Sequence, residues 1–291
     1  MDNWLVKYEW WLRIAFFLTG LTLLGSWEKV RGWRNSAEQW TRRYLKHLSL
    51  LSGGAVIGRL LFPVWPVVVA MQVQSAELGL LFIPELRGSP GWLKVLLSLL
   101  LLDLIMYALH RFFHLTRIGW WLHKMHHTDK HLDASTGLRL HPLEYLVVLA
   151  IKLLAVVFIG APVLAVLIYE ILYNLSSMFI HANIQLGTRL EKVLRWAIVT
   201  PGLHRIHHSE IEMERQKNFG MLFCWWDKLL NTYHPQALRG EQQLVLGLAE
   251  YWAAKYQNWW QMLSLPFQRR AKQGLGAPKK SRSSPNKRKG A

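Results

Sequence analysis

Histidines are the residues of this 291-residue chain whose number and spacing point most clearly to chemistry. The chain has 13 histidines, and ten of them lie at the ends of apolar stretches or in two His-x-x-His-His motifs. Neutral imidazole is the commonest protein ligand of metal ions, so this clustering predicts a metal site. Eight or more such ligands suit two metal ions, and imidazole alone does not choose between iron, zinc and copper. The other three, His47, His131 and His234, have no assignment.

Three groups of these histidines have helical spacing. Residues three or four apart share one face of an α-helix, and every group follows that rule. The groups are His110 with His114, His123 with His126 and His127, and His204 with His207 and His208. Thr200 as N-cap and Pro201 at the first helical position predict that the last group begins a helix. His141 and His181 are predicted at the two ends of a helical hairpin.

The elements that must position these histidines are membrane helices. The chain is 52% hydrophobic and has a mean hydropathy of +0.11. Several apolar runs approach the length of about 20 residues that crosses a bilayer core. A single cysteine, Cys224, excludes a disulfide framework and cysteine-rich zinc sites. The sequence therefore predicts an integral membrane protein.

The apolar runs predict about five spans. They lie near residues 10–24, 48–69 and 92–110 and in a hairpin over 143–181, which Gly160 and Pro162 divide into two arms. The first arm of about 17 residues is short, so its full crossing stays open. The basic segment 28–47 predicts a cytoplasmic loop, which places the histidines and the C-terminus on the cytoplasmic side. The predicted fold is an all-α integral membrane protein of about four to five transmembrane helices with a cytoplasmic histidine-rich helical cap.

Four regions follow from this pattern. Residues 1–91 form N-terminal transmembrane helices, 92–235 the di-metal catalytic domain, 236–267 an amphipathic helical region on the membrane surface, and 268–291 a basic tail. The tail carries nine lysines and arginines and no acid. On a membrane protein such a tail favours anionic lipid head groups over nucleic acid, and a solvated, disordered tail explains it equally.

Two polar residues that precede His110 in its apolar helix, Asp103 and Tyr107, are the candidate catalytic residues. Asp103 lies two turns earlier on the same face, and a carboxylate in a span requires a partner. It either orients a ligand imidazole, or pairs with Arg111 or makes a capping contact. Tyr107 either lines a substrate channel or packs. Further candidates for orienting the ligands are Asp129, Glu144 and Asp227.

The motifs resemble the fatty acid hydroxylase / sterol desaturase superfamily of membrane-bound di-metal oxygenases. The likeness covers roughly residues 103–233. Its pieces are DLIMYALHRFFH, LHKMHHT, GLRLHPLE, FIHANI, TPGLHRIHHS, NFG and WDKLLNTY. The RLHPLE and HAN pieces look most like the branch that contains alkylglycerol monooxygenase and many bacterial proteins. The family usually has glycine where this chain has Asn231.

The resemblance implies that the eight motif histidines are metal ligands and that His141 and His181 are further ligands or near neighbours. It also implies two iron ions, with zinc as an alternative in an isolated sample, and dioxygen. Because no cytochrome b5 domain accompanies the motifs, electrons are expected from a separate cytochrome- or ferredoxin-type protein or from a reduced pterin.

The leading hypothesis is a lipid hydroxylase or monooxygenase that oxidises a C–H bond of a fatty acyl, alkyl or sterol-like substrate within the bilayer. The few carboxylates near the histidines distinguish it from soluble di-iron bundles with Glu-x-x-His motifs. A desaturase or C-4 methyl sterol oxidase on the same centre is one alternative. A metal-binding or transport protein is another, although transporters place their ligands near the bilayer midplane. A bacterial inner membrane is the expected location.

Overall fold

The structure, a computed structural model, describes residues 2–36 and 38–268. That part of the chain is helical and contains no β-strand. Its helices are α1 (Asp2–Arg31), α2 (Trp40–Leu61), α3 (Pro66–Ser75), α4 (Pro84–Arg87), α5 (Gly91–Leu115), α6 (Arg117–His127), α7 (Pro142–Ile159), α8 (Val163–His181), α9 (Thr188–Leu194), α10 (Pro201–His207), α11 (Glu212–Arg215), α12 (Trp225–Leu229) and α13 (Trp259–Ser264). A 3-10 helix, Ala134–Leu138, lies between α6 and α7.

Four helical segments of the described chain are long and apolar enough to cross a membrane. They are Trp40–Phe82, Gly91–Leu115, Pro142–Ile159 and Val163–His181. The predicted all-α membrane fold is thereby confirmed. The 30-residue helix α1, which contains the first predicted span, is not among the four. It carries Glu9 and Arg13, and it packs along α8.

Prolines and glycines set the breaks between these helices as the sequence predicts. α2 ends at Leu61, and α3 starts at Pro66, whose missing N–H is harmless at a first helical position. The hairpin turns at Gly160, whose φ of +73° closes α7, and α8 begins after Pro162. Gly79 packs on this turn so closely that a Cβ there would lie 2.3 Å from the Gly160 nitrogen.

α8 is the central helix of the bundle. It contacts α1, α3, α5 and α10 as well as the 3-10 helix Ala134–Leu138. The largest apolar core lies where α3, α5, α7 and α8 meet, and its buried members include Val67, Leu102, Met106, Val156 and Val166. Burial of such side chains stabilises each by about 1.5–3 kcal/mol. This core fixes the ends of α5 and α8, which carry the first and last histidines of the membrane helices.

The region after residue 236 packs on the helices before it. The sequence predicts an amphipathic helical region here, on the membrane surface. In the structure Met262 and Leu265 are fully buried against Met125 of α6 and Leu50 of α2. The segment therefore covers the helix that carries the central histidine motif. The predicted basic tail from residue 269 onward lies outside the described residues.

Candidate metal centre

Nine buried histidines form two adjacent groups at one end of the bundle. Within each group one nitrogen of every ring lies within 4.8 Å of those of the others. The first group is His110, His114, His123, His127 and His207, and the second is His126, His181, His204 and His208. The groups touch, since His127 stacks on His208 with ring centroids 4.3 Å apart. Each group could hold a metal ion.

Each His-x-x-His-His motif is divided between the two groups. In α6, His123 and His127 enter the first group, whereas His126 enters the second. In α10 the division is reversed, because the middle histidine, His207, alone joins the first group. Helix geometry explains the split: a residue four positions on is turned by about 40° and one three positions on by about 60° the other way. The spacing predicted one shared face, and the structure shows that this face points between the two histidine groups.

The separations within the groups fit a metal ion. The Nε2 atoms of His110 and His123 are 3.2 Å apart, and the Nε2 atom of His181 lies 3.0 Å from those of His126 and His204. Two nitrogens that bind one ion at right angles and at about 2.1 Å lie about 3.0 Å apart. The nitrogens therefore already converge at ligand spacing.

His114 gives a second indication that the first group suits a metal ion. Both of its ring nitrogens are buried and have no hydrogen-bond partner within the described residues. A buried polar atom without a partner costs about 1–3 kcal/mol, and coordination removes that cost. Because the groups offer nitrogen alone, they fit iron, zinc or copper better than magnesium or calcium.

Burial keeps the imidazoles outside the membrane helices neutral. It lowers the pKa of His123 to about 3. It also lowers the pKa of His127 and His207 well below the ordinary value, and neighbouring imidazoles lower both further. A neutral imidazole has the lone pair that metal binding requires. The site thus holds its ligands in the binding form at neutral pH.

Hydrogen bonds on the outer ring nitrogen aim several imidazoles inward. The Nδ1 atom of His123 lies 2.6 Å from Oε1 of Glu144. The Nδ1 atoms of His110 and His207 donate to the backbone carbonyls of Phe219 and Lys217 at 2.8 and 2.7 Å. Such bonds fix the tautomer that leaves the Nε2 lone pair free for a metal. Glu144, one of three carboxylates considered for this role, makes a direct contact with a ligand ring.

Asp227 and Tyr107 support His110 through a loop. Asp227 accepts hydrogen bonds from the backbone N–H groups of Phe219 and Gly220, each at 2.8 Å, and from the Thr232 hydroxyl. The Tyr107 hydroxyl lies 2.7 Å from that same hydroxyl. The loop so held presents the Phe219 carbonyl to His110. Of the two roles considered for Tyr107, the structure places it in packing against this loop, 1% exposed, and not along the cavity.

Asp103 holds the neighbouring part of the same loop. It accepts hydrogen bonds from the Phe223 backbone N–H at 3.1 Å and from the Trp226 indole at 2.9 Å. Its hydrogen bonds within the described residues reach no ligand imidazole. Asp103 thus anchors the loop before α12, a contact that differs from the ligand, Arg111 and capping roles considered for it. Both candidate catalytic residues therefore lie behind the histidines.

His141 is not brought into either group. It caps the N-terminus of α7, where its Nδ1 accepts from the Leu143 N–H at 3.1 Å, and its Nε2 bonds to the Leu263 carbonyl at 3.1 Å. Both of its nitrogens are thus engaged by the backbone, and it lies outside both histidine groups. The family resemblance implied a ligand or a near neighbour, whereas its position before Pro142 makes it an N-cap. His181 joins the second group.

A buried ion network missed from the sequence holds the end of α6. Arg43 of α2 donates to Asp129 at 2.9 Å and to Asp133 at 2.6 Å. Arg139 donates to the Met125 carbonyl and to Thr128, one residue beyond His127. Asp129, a third candidate for orienting a ligand, thus acts on the helix end. In the sequence Arg43 is one of several basic residues attributed to loop charge, and nothing marks it as buried.

The histidines open on a cavity of about 280 Å³ among the membrane helices. Its lining includes His110 and His123 of the first group and His126, His181 and His204 of the second. The rest of the wall is largely apolar, with Leu109, Phe113 and Val148 as examples. An apolar cavity that ends on buried ligands can hold a hydrocarbon chain beside a metal centre.

Comparison with known proteins finds a family model that resembles the part of the chain with the histidines. The family model described as fatty acid hydroxylase matches residues 95–232. This range includes all nine grouped histidines and confirms the resemblance predicted from their motifs. No solved structure matches the chain significantly.

Curated relatives cover different shares of the chain. Ornithine lipid hydroxylase OlsE of Rhizobium tropici is 26% identical over 231 residues, 77% of this chain and 67% of the relative. Alkylglycerol monooxygenase of Danio rerio is 29% identical over 165 residues, 55% of this chain and 35% of the relative. Very-long-chain aldehyde decarbonylase GL1-1 of Oryza sativa subsp. japonica is 27% identical over 201 residues, 64% of this chain and 32% of the relative. The chain thus spans about a third of the length of the last two.

Proposed function

Because residues 95–232 match the fatty acid hydroxylase family model, we propose that this membrane protein hydroxylates a C–H bond of a lipid at a dinuclear iron centre. The observation that carries the proposal is the pair of buried imidazole groups at the end of an apolar cavity. The names of the relatives from R. tropici and D. rerio, a lipid hydroxylase and a monooxygenase, support it. The reaction would convert R–H, dioxygen, two electrons and two protons into R–OH and water.

Different residues of the chain would have different roles in this reaction. Two iron ions held by the nine histidines would supply reduction and activation of dioxygen. Glu144 would orient His123, and the Phe219 carbonyl would orient His110. The apolar wall would hold the lipid chain and exclude water, which protects a reactive oxidant from side reactions.

The proposal also includes the electron donor and the side of the membrane that the histidines face. A separate electron-transfer protein or a reduced cofactor such as a pterin would supply two electrons for each turnover. The histidine end of the bundle would face the cytoplasm of a bacterial cell, because the basic segment 28–47 lies at the same end and basic loops are typical of the cytoplasmic side. The basic tail would bind anionic lipid head groups.

Oxygen-isotope labelling tests the proposed reaction. Membranes that contain the protein are supplied with ¹⁸O₂ and a reductant, and their lipids are compared by mass spectrometry with membranes that contain His126→Ala. A lipid that gains one ¹⁸O atom only with the unaltered protein would support hydroxylation. A lipid that loses two hydrogens without gaining oxygen would favour the desaturase alternative, and unchanged lipids would refute both.

Metal analysis tests the centre itself. The purified protein should hold about two ions per chain, since each histidine group can ligate one. His207→Ala should lower the bound metal and the oxygen-dependent product together. A folded preparation without metal that still forms product would overturn the di-metal proposal.

A further inference from the structure

A group of four charged side chains lies between α1 and the membrane helices α7 and α8, away from the histidines. Arg13 of α1 pairs with Glu170 of α8 at 3.1 Å and with Glu9 at 3.3 Å, and Lys152 of α7 pairs with Glu170 at 2.9 Å. The side chains of all four are at most 18% exposed. Charged side chains within membrane helices cost free energy, and those that occur there generally have a functional role.

This charged group borders the same cavity as the histidines. Arg13, Lys152 and Glu170 belong to its lining, together with Trp10 and Trp65. Glu170 precedes His181 by 11 residues in α8, which corresponds to about 16 Å along the helix axis. One cavity therefore joins an apolar chain site, a metal centre and a polar end.

Hydrogen-bond accounting indicates what the polar end can take. One oxygen of Glu170 faces Lys152 and the other faces Arg13, so this carboxylate is already satisfied. The Lys152 ammonium has three N–H donors and the Arg13 guanidinium five, and the three ion pairs engage one donor each. Donors of both side chains therefore remain that can bind an acceptor of a ligand in the cavity.

The net charge of the group indicates whether the acceptor on the ligand is charged or neutral. Two cations and two carboxylates give the group a net charge of zero, so an anionic ligand would leave an uncompensated negative charge at this depth. Such a charge is expensive in a low-dielectric site, whereas a neutral carbonyl oxygen is not. A lipid carries such oxygens in the ester or amide linkage of its acyl chains.

We propose that Lys152 and Arg13 bind the ester or amide carbonyl of the lipid substrate and thereby fix which part of its chain reaches the histidines. The proposal rests on the proposed lipid hydroxylation and adds a specificity site to it. With the linkage held at Lys152, the methylene groups about 16 Å away are those that lie beside the metal centre. Lys152 and Arg13 would act as positioning residues that never touch the reacting carbon.

Binding of matched ligands to the intact, metal-loaded protein tests this site. A brominated long-chain methyl ester and a brominated alkane of equal length would be titrated while quenching of tryptophan fluorescence is recorded, since Trp10 and Trp65 line the cavity. The ester should bind about tenfold more tightly, as one charge-assisted hydrogen bond predicts. Lys152→Met should abolish that preference and leave alkane binding unchanged, and Lys152→Arg should retain it.

The outcomes separate this proposal from hydroxylation. Equal binding of the two ligands by the unaltered protein, or an ester preference that persists in Lys152→Met, would overturn it. A long-chain carboxylate that binds more tightly than the ester would overturn the neutral-acceptor assignment. Because the titration needs neither dioxygen nor electrons, an ester preference without lipid oxidation would refute the proposed function and leave this site standing. If Lys152→Met loses its bound metal or its folding transition, ester and alkane binding are compared in the unaltered protein and in Lys152→Arg. Equal binding of the two ligands there would overturn the proposal.

Discussion

The two histidine groups differ in how firmly the surrounding structure holds them. In the first group, His110, His123 and His207 each have an outer nitrogen bonded to a carbonyl or carboxylate. In the second group His181 alone has such a bond, to the Ser177 carbonyl at 2.7 Å. The outer nitrogens of its other three rings have no partner within the described residues.

The groups also differ in their exposure to the cavity. Three of the four imidazoles of the second group line it, but only two of the five in the first. A metal ion with fewer protein ligands has more positions open to other molecules. We therefore expect the first ion to be held tightly and the second to present its open side to the substrate.

The largest effect expected from this difference is that of removing one ligand from the smaller group. His204→Ala leaves three imidazoles there, so bound metal should fall from about two ions per chain to about one. The oxygen-dependent product should fall by more than the roughly 10–100-fold typical of losing an outer partner of a metal ligand. Elemental analysis and lipid mass spectrometry measure the two quantities.

His114→Ala is the matched control in the larger group. It leaves four imidazoles, the number that the second group has naturally. The variant should keep about two ions and lose less product than His204→Ala. Equal metal loss in the two variants would show that the groups do not differ as their ligand numbers suggest.

The outer partner of His123 should have the next largest effect. Glu144→Gln keeps the shape of the side chain but replaces the acceptor charge 2.6 Å from Nδ1. Loss of such a partner lowers metal affinity or activity by roughly 10–100-fold. Competition with a chelator should show that one ion leaves faster and the other at the unaltered rate. Faster loss of both ions would mean that Glu144 supports the whole centre.

The sequence predicted the grouped histidines better than the contacts that support them. Nine of the ten histidines proposed from spacing and family likeness lie in the two groups, because a ligand must be a particular residue type at a particular helical position. The supports of His110 and His207 are backbone carbonyls of Phe219 and Lys217, which have no sequence signature. The crosswise division of the two motifs depends on how α6 and α10 face each other, and no local pattern encodes that.

The loop behind His110 offers a smaller, more selective effect. In Asp227→Asn an amide N–H₂ would face a backbone N–H of Phe219 or Gly220, which costs about 1–3 kcal/mol of stability. The unfolding temperature should fall, and the first ion should leave more easily because the Phe219 carbonyl shifts. Thermal unfolding and chelator competition measure both.

Asp103→Asn is the control for that variant. It alters the support of the same loop at Phe223 and Trp226, away from the carbonyl that orients His110. Because both of these bonds end on Oδ2, the asparagine oxygen can accept both, so a smaller loss of stability is expected with unchanged release of the first ion. Faster metal release in Asp103→Asn would indicate that the loop supports His110 as a whole and not through Phe219.

The smallest effect is expected at Asn231, next to Thr232 of the same support. Its φ of +57° lies in the left-handed region, which accounts for the glycine usual in the family at this position. Asparagine tolerates this conformation, whereas alanine pays about 1–2 kcal/mol for it. Asn231→Ala should therefore lower the unfolding temperature by a few degrees, and Asn231→Gly should leave it nearly unchanged. Both variants should keep the first ion, since a strained turn that still forms leaves Thr232 bonded to Asp227; loss of that ion in Asn231→Ala alone would extend the support of the first group to this turn.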